Sequence, residues 1–270
     1  MTPPRPTRLV LLGHPVRHSL SPAFQNAALR RAALPLEYEA LDVAPDALTE
    51  MVTSLASAGA AGNVTIPHKL AVMALCDRIT QVARTVGAVN TFWVDHDGAL
   101  VGHNTDVAGV GALLASIGGV PPSARIALLG AGGAAASVLA ALAEWPSARV
   151  RVWNRHPERA RALSQRFDGQ AGFAESVDDA LDGAAVVINA TPAGMSGDEL
   201  PLPVDRIPAD ARIVDLVYRR GGTAWVQAAR ARGHTAVDGL EMLLVQGAAA
   251  FECWFGVAPD LSAMRAAVGE

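Results

Sequence analysis

Short apolar runs bounded by Gly, Pro and Asn recur along the chain, in two different rhythms. Residues 8–13 form an apolar run that ends at Gly13, the pattern of a buried strand. Ser21-Pro22 opens a helix reaching residue 33, with Ser21 in the capping position and Pro22 in the first turn. Residues 37–42 alternate as a strand and 45–57 read as an amphipathic helix. A strand over 62–65 leads through Pro67 into a helix over 70–76. A short helix over 80–86 precedes a hairpin with arms 91–95 and 99–103, which flank the tight-turn pair Asp97-Gly98. Asp106 then stands before a helical run over 107–117, where its simplest role is a helix cap. Gly118-Gly119-Val120-Pro121-Pro122 breaks the chain.

Beyond that break, strands and helices alternate. Buried strands are expected over 125–129, 149–153, 186–189, 212–217 and 235–237, and a final helix over 241–255. Between the first strand and an Ala-rich helix lies Gly130-Ala131-Gly132-Gly133-Ala134-Ala135, a G-x-G-x-x-A turn of the dinucleotide-binding kind. Gly130 permits the tight turn, Gly132 lets a pyrophosphate approach the backbone, and Ala135 keeps helix and strand close. The second strand ends at Asn154-Arg155, with Arg159 one helical turn on. An NAD site wants a carboxylate here for the ribose hydroxyl, whereas guanidinium groups bind a 2′-phosphate. The expected cofactor is therefore NADP, unless both arginines are merely solvated. In an open parallel sheet, ligands gather at the carboxyl ends of strands, where Thr191, Leu216, Tyr218 and Gly239 fall.

Composition narrows the function classes. The 270 residues are 51% hydrophobic and 18% charged, enough for one large or two modest domains. A net charge of −4 without a basic stripe argues against a nucleic-acid partner. Cys76 and Cys253 lack metal-ligand spacing and match a reducing compartment. His14 and His18 are four apart in a Gly/Pro segment rather than on a helix, so no metal site is expected. No segment reaches the ~20 apolar residues that cross a bilayer, and no apolar leader opens the chain. The expectation is a cytoplasmic protein with no membrane partner, a monomer or homodimer.

Among the 22 Lys and Arg residues only one, Lys69, is lysine. Arg stays protonated, while a Lys amine can give and take a proton. A lone Lys among arginines points to work that Arg cannot do, or else is an accident of composition. It closes Asn63-Val64-Thr65-Ile66-Pro67-His68-Lys69, in which Asn63 and Thr65 should face one side of an extended segment. Ser19 and Ser21 beside the free amides of a helix start form a seat for a carboxylate. Gln246 falls within the apolar face of the last helix, where its amide needs a partner.

Taken together, these motifs resemble the shikimate dehydrogenases along essentially the whole chain. The resemblance is carried by Gly13-x-Pro15-x-x-His18-Ser19-x-Ser21-Pro22, by Asn63-Val64-Thr65-x-Pro67-x-Lys69, and by Gly87-Ala88-Val89-Asn90-Thr91 with Asn104-Thr105-Asp106. The glycine turn, Asn154-Arg155, Asn189-Ala190-Thr191-Pro192, Asp215-x-x-Tyr218 and Asp238-Gly239-x-x-Met242-Leu243-x-x-Gln246 complete it. It implies NADP-dependent, reversible reduction of 3-dehydroshikimate to shikimate. It assigns acid/base work to Lys69 with Asp106, the substrate carboxylate to Ser19, Ser21 and Tyr218, and the substrate hydroxyls to Thr65, Asn90, Asp106 and Gln246. NADP would rest on Gly130, Ala131, Gly132, Gly133, Ala134, Asn154, Arg155, Arg159, Leu216 and Gly239.

Departures from the family pattern are Gln25 in place of a usual His, expected to matter little, and His156 in place of Thr. Arg159 stands where Lys is common, and Glu241 where Gly is common. Tyr218-Arg219-Arg220-Gly221-Gly222 replaces Tyr-x-Pro and reads as a looser loop. The expected fold is a two-domain α/β protein. Residues 1–106 form a substrate domain and 107–238 a Rossmann-type NADP-binding domain. Helices in 239–270 return to the first domain, with the active site in the cleft between the two. A quinate-active paralogue, a non-catalytic NADP-binding sensor and a dehydrogenase of folate or an amino acid are the competing readings. Intact Lys69 and Asp106 speak against the sensor, and the paired serines with Asn104-Thr105-Asp106 against the last.

Overall fold

The computed structural model describes residues 3–269. The chain divides into two compact units. One takes the chain up to Ala108 and again from Leu243 onward, and the other takes Gly109–Met242.

The first unit is built on a mixed six-stranded sheet. In chain order its elements are β1 (Leu9–Gly13), α1 (Ser21–Arg31), β2 (Tyr38–Asp42), α2 (Leu48–Ser57) and β3 (Ala61–Val64). Then come α3 (Lys69–Leu75), β4 (Arg78–Ile79), α4 (Gln81–Val86), β5 (Thr91–Val94), β6 (Leu100–His103) and the start of α5 (Asp106–Ser116). The sheet order is β2-β1-β3-β5-β6-β4. β1 pairs in parallel with β2 and β3, whereas β5 runs antiparallel to both β3 and β6. Every residue of β1 is buried, as a central strand covered on both faces requires. Val10, Leu12, Val52, Leu55, Val64, Val72 and Phe92 form its core. Thr80 caps α4 by accepting the Ala83 N–H, and Gly87 ends it in the left-handed conformation.

The second unit carries a six-stranded parallel sheet. Its elements are β7 (Arg125–Leu129), α6 (Gly133–Ala141), β8 (Arg149–Trp153), α7 (Pro157–Arg166), β9 (Ala171–Phe173) and α8 (Val177–Leu181). They continue with β10 (Ala184–Asn189), β11 (Arg212–Asp215), α9 (Ala224–Ala231) and β12 (Ala236–Val237). The order β12-β11-β10-β7-β8-β9 reverses direction between β7 and β10, which is the doubly wound arrangement with its switch point there. Helix α10 (Leu240–Phe255) starts in this unit and continues into the first, and α11 (Leu261–Val268) follows.

Those last helices are fastened within the first unit. The Trp254 indole N–H donates to the Phe92 carbonyl at 3.2 Å, and α11 packs on α1. The strands over 125–129 and 149–153 appear with the expected bounds. The short β4, β9 and α8, as well as α9, are additions to the sequence reading.

Candidate active site

Strand direction gathers the chemistry-bearing residues of the first unit on one edge of its sheet. Ser19 and Ser21 follow β1, and Thr65 and Lys69 follow β3. Asn90 precedes β5, which runs the other way, and Asp106 follows β6, which turns back again. The loops after β1 and β3 are stitched together by His14 N–H to the Ile66 carbonyl (3.0 Å) and Thr65 N–H to the Leu12 carbonyl (2.8 Å).

At this edge the Lys69 ammonium donates to Asp106 Oδ2 at 2.6 Å. The Asp106 side chain is 7% exposed and that of Lys69 22%, so the pair is screened little by water. The second carboxylate oxygen, Oδ1, accepts from Asn90 Nδ2 at 2.8 Å. Asp106 is the first residue of α5, and its side chain is committed to Lys69 and Asn90. Asn90 also reaches Gln246 Oε1, at the long distance of 3.4 Å, while Gln246 Nε2 donates to the Leu243 carbonyl at 2.8 Å. The apolar-face amide of Gln246 thus has protein partners, and it lies beside the Lys69–Asp106–Asn90 cluster.

Asn63 does not share a free face with Thr65. Its side chain is buried, with Oδ1 accepting from the Tyr38 hydroxyl (2.8 Å) and Nδ2 donating to Thr91 Oγ1 (3.0 Å). Thr91 and Thr105, neither among the expected site residues, are likewise buried in this polar group.

Two expectations near the helix starts are corrected. Ser21 is not the cap of α1: the capping position is Leu20, and Ser21 is the first helical residue. The Ser19 hydroxyl instead accepts the Ser21 N–H at 3.2 Å, a local side-chain turn that competes with the cap geometry. Gln25 is not inconsequential either. It is 1% exposed, and its Nε2 donates to the carbonyl of Gly247, the neighbour of Gln246, at 2.9 Å. Its own Oε1 is buried without a partner.

In the second unit the glycine turn sits at the sheet's switch point. Gly130 has φ +113°, and a Cβ there would stand 2.8 Å from the Ala190 carbonyl oxygen at the end of β10, so only glycine fits. At Gly132 a Cβ would meet nothing within 4 Å, leaving the backbone open to a ligand. Ala131 and Ala134 are half-buried, Gly133 is exposed and begins α6, and Ala135 is buried against the sheet.

The arginines beyond β8 fall into two groups. Arg151 is paired with Asp179, Arg161 lies over Phe173 and Arg166 over Phe167. Arg155 and Arg159 are exposed and hold no carboxylate within 4.0 Å among the described residues. Asn154 Oδ1 accepts the His156 N–H at 2.9 Å and shapes the turn between them.

Thr191 is held by Asn189, whose Oδ1 accepts both its N–H (2.9 Å) and its hydroxyl (2.6 Å). Asn189 Nδ2 in turn donates to Asp215 Oδ1 (2.8 Å), and Thr223 donates to Asp215 Oδ2 (2.8 Å). Burial pushes the Asp215 carboxyl above the ordinary range, opposed by these donors. Gly239 and Leu216 are in backbone contact, since a Cβ on Gly239 would lie 2.3 Å from the Leu216 carbonyl oxygen. Tyr218 follows β11 in this same unit and is half-buried.

The loop after Tyr218 is pinned rather than loose. The Arg219 N–H donates to Asp238 Oδ2, and its guanidinium to the Gly197 carbonyl and to Asp198. Gln227 Nε2 bonds the carbonyls of Gly221 and Gly222. The Arg side chain and Gln227 restrain the backbone at a place where the sequence offers no Pro.

Three family models match in chain order. They are described as shikimate dehydrogenase substrate binding domain (residues 11–92), shikimate / quinate 5-dehydrogenase (113–196) and shikimate 5'-dehydrogenase C-terminal domain (239–268). A shikimate dehydrogenase (NADP(+)) of Rubrobacter xylanophilus is 47% identical over 268 residues, covering 96% of this chain and 94% of that one. The crystal structure of shikimate 5-dehydrogenase from Thermus thermophilus in complex with NADP(H) and shikimate is 40% identical. It has a TM-score of 0.86, covering 96% of this chain and 97% of that chain. A quinate dehydrogenase from Corynebacterium glutamicum in complex with NAD has the same TM-score at 29% identity, over 96% of this chain and 97% of that chain.

Proposed function

Because the chain belongs to the shikimate dehydrogenase family, we propose that it is an NADP-dependent oxidoreductase interconverting 3-dehydroshikimate and shikimate in chorismate and aromatic amino-acid synthesis. The observation that carries this reading is the 2.6 Å pair of Lys69 Nζ and Asp106 Oδ2, 22% and 7% exposed. It places a titratable amine beside a fixed carboxylate, next to the amides of Asn90 and Gln246.

The reaction needs three things from the protein: a seat for the substrate, a fixed cofactor and a proton relay. Ser19 and Ser21, joined at the start of α1, take the substrate carboxylate together with Tyr218. Thr65, Asn90, Asp106 and Gln246 take its hydroxyls. The open backbone at Gly132 and the free guanidinium groups of Arg155 and Arg159 fit a dinucleotide with a 2′-phosphate. Gly130, Ala131, Gly133, Ala134, Asn154, Thr191, Leu216 and Gly239 complete that cradle. Bound there, the nicotinamide supplies or accepts the hydride.

As hydride reaches the ring carbonyl carbon, the carbonyl oxygen gains an electron pair and needs a proton. Lys69 Nζ gives it, becoming a neutral amine that is reprotonated from solvent. In the oxidative direction the amine takes the hydroxyl proton as hydride leaves carbon. Asp106 holds the ammonium in place through its 2.6 Å hydrogen bond.

The test is an assay of purified protein with shikimate and with quinate, each with NADP and with NAD. Shikimate with NADP should give the highest kcat/KM. Quinate carries an extra hydroxyl and lacks the ring double bond, so a higher kcat/KM with quinate and NAD would overturn the reading.

A further inference from the structure

Asn63 and Thr91 belong to neither the substrate set nor the cofactor set, yet hydrogen bonds join them to Asp106. Register explains why they meet: Asn63 in β3 lies opposite Thr91 in β5, so their side chains share one face. Groups with only one possible role then fix the direction of each bond. The Asn90 carbonyl can only accept, so the Asn63 atom facing it at 3.2 Å is the amide nitrogen. That nitrogen also donates to Thr91 Oγ1 at 3.0 Å. Asn63 Oδ1 accepts from Tyr38, whose phenol burial keeps protonated. With its oxygen accepting from Asn63, Thr91 has a single hydrogen left, which faces Asn90 Oδ1 at 2.9 Å and Thr105 Oγ1 at 3.0 Å, and we assign it to the shorter contact, Asn90. The Thr105 N–H, which can only donate, faces the same Oδ1 at 2.7 Å. Asn90 Nδ2 is therefore turned toward Asp106 Oδ1, and Oδ2 is left for Lys69.

We propose that Thr91, aligned by Asn63, is a positioning residue for the dehydrogenase reaction. Its hydroxyl holds the Asn90 amide, and through it the Asp106 carboxylate, in the orientation that meets Lys69. This rests on the reading that Lys69 and Asp106 serve shikimate turnover. Reacting groups work when held within about 0.5 Å by side chains that are themselves locked. Thr91 is 0% exposed and cannot touch solvent-borne substrate where it stands, so its influence passes through Asn90.

The experiment compares wild type, Thr91→Val, Thr91→Ser, Asn90→Ala and the Thr91→Val/Asn90→Ala double variant in shikimate oxidation with NADP. Val keeps the shape of Thr and puts a methyl group where the hydroxyl stood. Thr91→Val should lower kcat/KM for shikimate about tenfold, on the scale of one lost orienting hydrogen bond. The KM for NADP should stay within about twofold of wild type, because the cofactor cradle is not touched. Thr91→Ser, which restores the hydroxyl, should return activity to within about twofold. In the Asn90→Ala background Thr91→Val should cost nothing more, because residues acting through one another are not additive. Circular-dichroism melts of each variant fix an assay temperature at which all are folded. Unchanged kinetics in Thr91→Val, no rescue by Ser, or losses that multiply in the double variant would each overturn the proposal. A wild-type protein inactive on shikimate would instead sink the functional reading, and this inference with it.

Discussion

The Ser19 hydroxyl accepts the backbone N–H of Ser21 at 3.2 Å, so the first serine of the pair secures the start of α1 and the second does not. The stability consequence follows directly. Ser19→Ala should cost about 1 kcal/mol, the net worth of one such bond. Ser21→Ala should change stability by no more than a few tenths of a kcal/mol, because its side chain caps nothing. Both should weaken shikimate binding and leave NADP binding unchanged if they seat the substrate carboxylate. Urea melts separate the first effect, and shikimate titrations the second. Normal shikimate affinity in both variants would remove the serines from the site.

Arg155 and Arg159 stand free while their neighbours Arg151, Arg161 and Arg166 are engaged. Arg155→Ala should therefore raise the KM for NADP by about 10–100-fold, the range of a charge-assisted contact. The KM for NAD should barely move, since NAD has no 2′-phosphate. Equal effects on both cofactors would mean that this arginine does not read the phosphate.

Asp215 accepts from Asn189, Thr223 and the Val217 N–H in a buried site. Asp215→Ala leaves those donors without an acceptor, and each orphaned group costs about 1–3 kcal/mol. A loss of about 3 kcal/mol or more is expected in chemical denaturation. Because Asn189 also fixes Thr191, the variant should bind NADP more weakly even where it is folded. Normal stability in this variant would show that the network is dispensable.

Burial pushes the Cys76 thiol up to about 12 and the Cys253 thiol up to about 11, with Asp77 and Glu252 adding to the shift. At about pH 8 the thiolate, which is the reactive species, is then on the order of one in a thousand or less. A disulfide reagent should label the folded protein slowly and both thiols rapidly once it is unfolded. Fast labelling of native protein at that pH would contradict this.

Local signals carried much of the fold. The apolar runs at 125–129 and 149–153 are long enough to declare themselves, and the glycine turn needs a strand before it and a helix after it, both of which are visible in the sequence. Two-residue β4 has too few positions to show any period. The roles of Asn63 and Gln25 were hidden for another reason. Asn63 bonds Thr91 across 28 residues and Gln25 bonds Gly247 across 222, and no local pattern encodes such partners. Ser21 yields the capping position to Leu20 because the cap depends on where the backbone turns helical, which Ser-x-Ser-Pro leaves open by one residue.

Lys69 meets Asp106 at 2.6 Å, a geometry that serves either an anchor or an acid/base group. Lys69→Arg separates the two, because Arg keeps the positive charge and discards the titratable amine. An anchoring Lys69 would leave Arg with a good share of kcat, reduced only by the bulk of the guanidinium. An acid/base Lys69 predicts that kcat collapses by about 10²–10⁴-fold while shikimate still binds. Asp106 is buried, so Arg should still pair with it and the fold should hold. A thermal melt within a few degrees of wild type would confirm that the loss is chemical. Steady-state kinetics with NADP and shikimate, alongside direct shikimate titration, decide the matter. Near-normal kcat in Lys69→Arg would end the acid/base assignment and leave the chain's one lysine a binding charge.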